Sequence, residues 1–387
     1  MTVGTVEFRA RFPVLREKIY LNSCSQGALS GEVETAMLEY LRTWHQHGSP
    51  WDLWVEHYEA GRRCFAELIG AEPDEVALVA SASAGVNSLA SALSFKQRSK
   101  VVMGEFDFPT MGHIWLAQRA RGAEIHFAKA TDNRLPAEAY DPLIDHNTLI
   151  VPLSHMCFMN GFRSPVAEIT KMAHDRGALV LLDDYQDCGT RPIDVKALQV
   201  DAYVSGTLKY LLGPPGLAFM YVRKSLADSL TPTVTGWFGQ RNPFAFDVKL
   251  FDPAPGTRRF ESGTPPIPTI YGAVAGAKLL QTLGLQNVAA QIRSLAQALI
   301  RGASELGIPV KTPPDSVGPL VVLQSKNADF LVQLLGEQNV VCSSRHDGLR
   351  ISFHAYNTLD DVTFVLRLLE QNLDRFAASA TTTAAKQ

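Results

Sequence analysis

The sequence has no apolar run approaching the roughly 18 residues that a membrane-spanning helix needs. Its start, MTVGTVEFRARFP, lacks the apolar core of a secretory signal. Cysteine is sparse: Cys24, Cys64, Cys157, Cys188 and Cys342 stand far apart, with no CxxC pair and no histidine at a metal-site spacing. An odd number leaves a thiol free, which argues against a disulfide or zinc framework and for a reducing compartment. Neither sign of charge dominates. The formal net charge is −3 over 387 residues and no basic run interleaves with aromatics, so nucleic-acid binding has no electrostatic support. Internal repeats are missing too. What remains, with 46% hydrophobic and 19% charged residues, is the composition of a globular chain long enough for two domains. A cytoplasmic enzyme, with no membrane or nucleic-acid partner, is the expectation.

Between residues 60 and 225, short apolar runs alternate with helical patterns. EVALVA, KVVMGE, TLIVPLSH, ALVLLDD, DAYVSG and LAFMYVR are nearly continuous in apolar residues, the mark of strands buried on both faces. One connecting helix is well punctuated: Ser164 can cap it, Pro165 suits its first turn, Val166, Ile169, Met172 and Ala173 share a face, and Gly177 ends it. Repeated strand-helix-strand units imply an α/β fold with a mostly parallel sheet between helices. From about residue 265 the texture becomes helical and then mixed, which predicts a smaller α+β domain ending in the helix TLDDVTFVLRLLEQNLDRF. The divisions expected are a leading segment over 1–44 packing on the small domain, a large domain over 45–260, a small domain over 261–375 and a disordered tail over 376–387.

In such a sheet, ligands collect at the carboxyl ends of the strands. Asp183, Asp184, Tyr185 and Gln186 follow one run, SASAGVN opens a helix after another, FDFPT follows a third, and Lys209 follows DAYVSG. Each has a plain reading. Lys209 can snorkel to solvent, the acidic pair can cap a helix or hold Mg²⁺, and small residues before a helix can serve close packing. Together they offer an amine, a carboxylate, an aromatic wall and a helix start suited to phosphate, the set that pyridoxal 5′-phosphate requires.

The ordered stretches YLNSCSQGALS, FPT, LLDDYQDCGTRPIDV, TLKYLLGPPG, GWFGQRNPFAF, RRFESGTPPI and GLRISFHAYNT resemble the class V aminotransferase family of fold-type I pyridoxal-phosphate enzymes. The kynureninase branch looks closest and the cysteine desulfurases more distant. The resemblance implies a large domain around a seven-stranded, mostly parallel sheet and a homodimer with active sites at the interface. It implies Lys209 as the Schiff-base lysine and proton shuttle, and Asp183, rather than Asp184, as the partner of the pyridinium. Gln186 would meet the ring hydroxyl or the imine, and Phe108 would stack on the ring. Ser83 and Ala84 would bind phosphate, joined by Trp237 and Thr264 from the neighbouring subunit. Arg350 would clamp the substrate carboxylate, with Ser25 beside it. Tyr20, His155, Arg345 and His346 are further pocket candidates, and Trp44, His45, His47, Trp51 and Trp54 either line the side-chain pocket or form a helix-packing face.

Departures from that pattern narrow the chemistry. Kynureninases carry tyrosine, histidine and aspartate where this chain has Leu208, Gln186 and Met111. Desulfurases carry a nucleophilic cysteine on a loop before the arginine strand, where this chain has only the link SSRHDG after Cys342. The expected activity is side-chain cleavage or elimination from a small α-amino acid. An aminotransferase, an epimerase, a desulfurase and a non-catalytic cofactor-binding module are the alternatives.

Overall fold

The computed structural model describes residues 4–376. The short helix α1 (Thr5–Arg9) and strand β1 (Ile19–Tyr20) lead into two long helices, α2 (Gly31–His47) and α3 (Trp51–Ile69). The sheet region follows: β2 (Val76–Val79), α4 (Ala82–Ala92), β3 (Lys100–Gly104), α5 (Pro109–Ala117), β4 (Glu124–Ala128), β5 (Thr148–Ser154), α6 (Val166–Asp175), β6 (Leu179–Asp183), β7 (Ala202–Gly206), β8 (Ala218–Val222) and α7 (Lys224–Ser229). The chain ends with α8 (Ile267–Leu283), α9 (Leu285–Glu305), β9 (Leu320–Gln324), α10 (Ala328–Glu337), β10 (Val340–Val341), β11 (Ser343–Arg345), β12 (Gly348–Ser352) and α11 (Leu359–Glu370).

The main sheet has seven strands in the order β2-β8-β7-β6-β5-β3-β4. β8 pairs antiparallel with both β2 and β7, and the remaining pairs are parallel. Every strand except β8 therefore delivers its carboxyl end to the same edge. All six apolar runs read from the sequence are strands. The seventh, β4, escapes that reading because it is an edge strand, and EIHFA keeps exposed residues where the inner strands are apolar.

The helix after β5 starts one residue later than its punctuation suggests. Pro165 is the N-cap, and the Ser164 hydroxyl donates instead to the Ser154 carbonyl at 2.6 Å. That bond ties the helix start to the strand end that borders the site. Val166, Ile169 and Ala173 are buried as expected, and Gly177 takes φ 71° after the last turn.

A second core forms where β9, β12 and β11 make a three-stranded antiparallel sheet backed by α9, α10 and α11. β1 pairs in parallel with β10, which fastens the leading segment to this unit. By contrast α8, placed by the sequence in the small domain, buries Ile270, Tyr271, Leu279 and Leu280 in the large core beside Trp54 and Tyr58 of α3. Phe376, assigned to the tail, is buried against the small core and bridges to Ser325. The remainder of the expected tail, 377–387, lies outside the described residues. No described helix is long and apolar enough to cross a membrane.

Candidate active site

The carboxyl edge of the main sheet encloses a cavity of about 310 Å³ lined by Ser25, Ser83, Phe108, Asp183, Gln186 and Lys209. These six residues, expected from five separate stretches of sequence, converge there. Lys209 is carried by the turn after β7. Gly213 N–H donates to the Thr207 carbonyl at 2.9 Å, and the Thr207 hydroxyl donates to the Pro214 carbonyl at 2.6 Å, so GPPG folds back and fixes the lysine-bearing turn. Gly27 N–H donates to the Leu208 carbonyl at 2.8 Å. A Cβ at Gly27 would collide with the Lys209 carbonyl oxygen, so only glycine lets the leading segment come this close.

The Lys209 ammonium lies 4.5 Å from the Tyr185 ring centroid and 5.7 Å from that of Phe108. Burial pushes it down to about 8, against the opposing pull of Asp183. Burial likewise pushes the Asp183 carboxyl up to about 6, against the Tyr185 N–H and Lys209. Both shifts run toward the neutral form, because burial outweighs the attraction between the two groups. Asp183 receives a single N–H, from Tyr185 at 3.1 Å. A buried carboxylate so poorly compensated favours an added cation.

Asp184, one residue on, faces the other side of the strand end. It is fully buried, accepts the Tyr203 hydroxyl at 2.6 Å and meets His155 Nδ1 at 2.8 Å. Arg191 donates to His155 Nε2 at 2.5 Å, which assigns the ring proton to Nδ1. Arg191 and Arg163 also hold Asp187, at 2.6 Å and 3.2 Å. Burial alone would raise the Asp187 carboxyl, but the Arg163 and Arg191 guanidinium groups hold it well below the usual range. His155, Asp184 and Asp187 are close enough to ligate a metal, yet arginines already occupy two of the three. The Asp183–Asp184 pair cannot chelate Mg²⁺ together, because its members point into different surroundings. His155, expected in the pocket, belongs to this network beneath it.

Arg350 on β12 is 2% exposed. Its Nη2 donates to the Ser25 and Ser343 hydroxyls, each at 2.9 Å, and Nη1 donates to the Phe158 carbonyl at 3.1 Å, while the buried Nε has no partner. Gln186 donates through Nε2 to the Cys24 carbonyl at 3.2 Å and leaves Oε1 unpartnered. Phe108 is placed by Asp107, whose carboxylate accepts the Ser154 and Gly104 N–H groups at 2.6 and 2.8 Å.

Some expectations need correction. The Ala84 N–H is engaged by the Ser81 hydroxyl that caps α4, at 3.1 Å, so it is not a free phosphate donor. Ala82, Ser83 and Thr110 line the cavity, and the Ala82 and Ser83 N–H groups of the first turn have no partner within the helix. Trp237 and Thr264 were expected from a neighbouring subunit and not from this chain; here Trp237 packs against Phe238, Phe244 and Phe246, and Thr264 is exposed. Tyr20 donates to the Gln26 carbonyl at 3.0 Å. Trp54 is buried and donates to Thr43 at 3.1 Å between α3 and α2, so TWHQHGSPWDLWVEHY supplies a helix-packing face there, while Trp44 stays exposed. Tyr185, Ser154, Met156 and Phe158 line the cavity without having been expected. Only for Tyr185 was there a signal, its place between the acidic pair and Gln186.

A larger and more open cleft of about 630 Å³ lies at the opposite edge of the sheet, near His174, Lys196, Asp201 and Arg223. Asp201 is already held there by His174 and Arg223, both at 2.9 Å, so its charge is satisfied within the fold.

Comparison with known proteins agrees with this geometry. Residues 19–365 match the family described as Aminotransferase class-V. The chain is 34% identical over 357 residues to an uncharacterized aminotransferase, YcbU, of Bacillus subtilis strain 168, covering 92% of this chain and 95% of that protein. It is 27% identical to a cysteine desulfurase of Haloferax volcanii, over 95% of this chain and 97% of the relative. Among solved structures, the apo cysteine desulfurase of Thermococcus onnurineus NA1 superposes with a TM-score of 0.87 at 23% identity, covering 95% of this chain and 98% of that one. The cystine C–S lyase C-DES, in complex with its product cysteine persulfide, gives 0.86 at 23% identity, over 93% and 99%. These relatives lend no support to the kynureninase branch suggested by the motifs.

The chain belongs to the aminotransferase class-V family, and it is an enzyme that uses pyridoxal 5′-phosphate. The residues present fit that cofactor. The cavity offers an aromatic wall, a helix start with free donors, an amine, and a buried carboxylate that lacks a cation where a pyridinium would supply one.

Proposed function

We propose that the enzyme cleaves a bond at the β-carbon of an α-amino acid, without a nucleophilic thiol on a loop before the arginine strand. The observation that carries this reading is the hairpin before the arginine strand. β11 and β12 are joined by His346 and Asp347 alone, Arg345 pairing directly with Gly348. No loop remains there to present a nucleophilic cysteine. Cys342 is buried in the small core, and burial pushes its thiol up to about 12. Cys64 and Cys157 are pushed up to about 11 and Cys188 to about 12, for the same reason. The relatives named as desulfurases and the structure named as a C–S lyase support cleavage at a carbon–sulfur or similar bond.

In this reading Ser83, Thr110 and the start of α4 would hold the phosphate, Asp183 would supply the counter-charge for the ring nitrogen, and Phe108 would offer the aromatic wall. Bound pyridoxal phosphate supplies an electron sink for the substrate α-carbon. Arg350 holds the α-carboxylate through its unused donors, which fixes the α-carbon in front of Lys209. Lys209, with its ammonium lowered to about 8, can give up its proton near neutral pH and serve as the base at Cα. Met156 and Phe158 give that space an apolar wall. Gln186, anchored on Cys24, presents an acceptor to the same space.

A homodimer belongs to the same proposal. Phe246, Val248, Leu250 and Phe251 are exposed together beside Trp237, an apolar surface that a second copy would cover and that would bring Trp237 and Thr264 toward a neighbouring cavity. Light scattering on the eluted protein checks this, and a monomer would refute it.

The reaction is tested by incubating the enzyme with cysteine, cystine and other β-substituted amino acids, and scoring pyruvate, ammonia and sulfide. Steady release without added keto acid supports β-cleavage. Turnover that stops after one cycle and resumes only with a keto acid would identify an aminotransferase instead.

A further inference from the structure

We propose that Arg345 is a second anion-binding residue of this site, and that the substrate is an α-amino acid whose side chain carries a carboxylate. The inference rests on the assignment of Arg350 to the α-carboxylate and extends it to the substrate's other end.

The β-sheet register carries the argument. Ser343 pairs with Arg350 and Arg345 pairs with Gly348. Residues directly opposite in an antiparallel pair share a face, and positions two apart on one strand do so as well. Ser343, Arg345, Gly348 and Arg350 therefore stand on one face of the hairpin. The other face, with Leu349 and Ile351, is sealed in the small core, so the arginine face looks toward the large domain and the cavity. Diagonal neighbours of this kind lie roughly 7–8 Å apart. Gly348 puts no side chain between them.

Arg345 has nothing else to do. It is exposed, and its guanidinium rests on the Ser344 carbonyl at 2.7 Å, with no carboxylate partner among the described residues. Asp347, in the same hairpin, is taken by Lys311. Both Arg345 and Arg350 act to lower the Lys209 ammonium, so the fields of both reach the reacting amine. Two guanidinium groups on one hairpin face thus act on the Lys209 amine, whose carboxylate neighbour is Asp183. One guanidinium is matched by the α-carboxylate that every amino acid has. The second is matched only if the side chain brings another anion, at the separation found in short dicarboxylates.

The test uses the cofactor-loaded protein and probes with no amine, which cannot react at the cofactor. Calorimetry at low salt compares succinate and glutarate with butyrate. The wild type is expected to prefer a dicarboxylate by about tenfold or more, and Arg345→Gln to reduce that preference to within about twofold while butyrate affinity stays constant. Arg350→Gln should weaken all three probes. Equal binding of glutarate and butyrate by the wild type, or a preference that survives Arg345→Gln, overturns the proposal. Borohydride treatment of the same preparation separates the two levels. A cofactor adduct on Lys209 with no dicarboxylate preference refutes the substrate class alone. Absence of the adduct overturns the reading of the site, and this inference with it.

Discussion

Two groups of buried charges lie back to back at the carboxyl edge of the sheet. In the network of His155, Asp184, Asp187, Arg191 and Tyr203, every carboxylate has at least two partners inside the fold. In the cavity, Lys209 has only aromatic faces for company, Asp183 has one N–H, and Arg350 keeps a buried donor unused. The first group spends its interactions on holding strand ends together. The second keeps them in reserve for a ligand. Asp183 and Asp184 are adjacent in sequence, and the strand pleat sends one to each group.

The largest expected effect lies on the unpaired side. Lys209→Ala should cut turnover by about 10⁴-fold and abolish the borohydride-trapped adduct, with a melting temperature within a few degrees of the wild type. Calorimetry alongside initial rates checks both. On the paired side the expectation reverses. Asp187→Ala takes the buried counter-ion from the half-buried Arg163 and Arg191 and a hydrogen-bond acceptor from Thr190, and should cost about 1–3 kcal/mol of folding stability by urea titration. If Asp187→Ala were as stable as the wild type, the contrast between the groups would fail.

Asp183→Asn should lower turnover by about 10²-fold and weaken cofactor retention, read from absorbance after dialysis, while raising the urea midpoint of the cofactor-free protein at neutral pH, where the native carboxylate is ionised at a cost. The pH dependence of the cofactor-free protein sharpens the same point. Burial raises Asp183 from 3.8 to about 6, so between those values the folded state binds more protons than the unfolded state and stability falls as pH rises. Burial lowers Lys209 from 10.5 to about 8, so between about 8 and 10.5 the unfolded state binds more protons and stability rises with pH. Urea midpoints across pH should show both limbs, with Asp183→Asn flattening the acid one and Lys209→Met the alkaline one. The smallest effect expected is that of Cys342→Ser, which should leave turnover within about twofold, since the thiol lies in the small core away from the cavity.

Much of this was legible in the chain. The buried strands announced themselves because a parallel strand covered on both faces must be apolar throughout, and the residues just beyond them were read as a site because strand ends converge. β4 was missed because an edge strand need not be apolar. Ser164 was misjudged because a serine before a proline reads as a cap until its hydroxyl has a better acceptor, the Ser154 carbonyl. Phe158 was overlooked because an aromatic residue in a loop carries no sequence signal about which side it faces.

The sequence alone determined the sheet, its direction and the convergence of Lys209, Asp183 and Phe108, since those follow from local periodicity and from the rule that ligands gather at strand ends. The tertiary structure decided which aspartate meets the cavity, that Ala84 is already engaged, that α8 belongs to the large core, and that Arg345 shares a face with Arg350. These depend on pleat, register and packing between segments far apart in the chain. A one-residue change of register would reverse each facing without altering a single local preference.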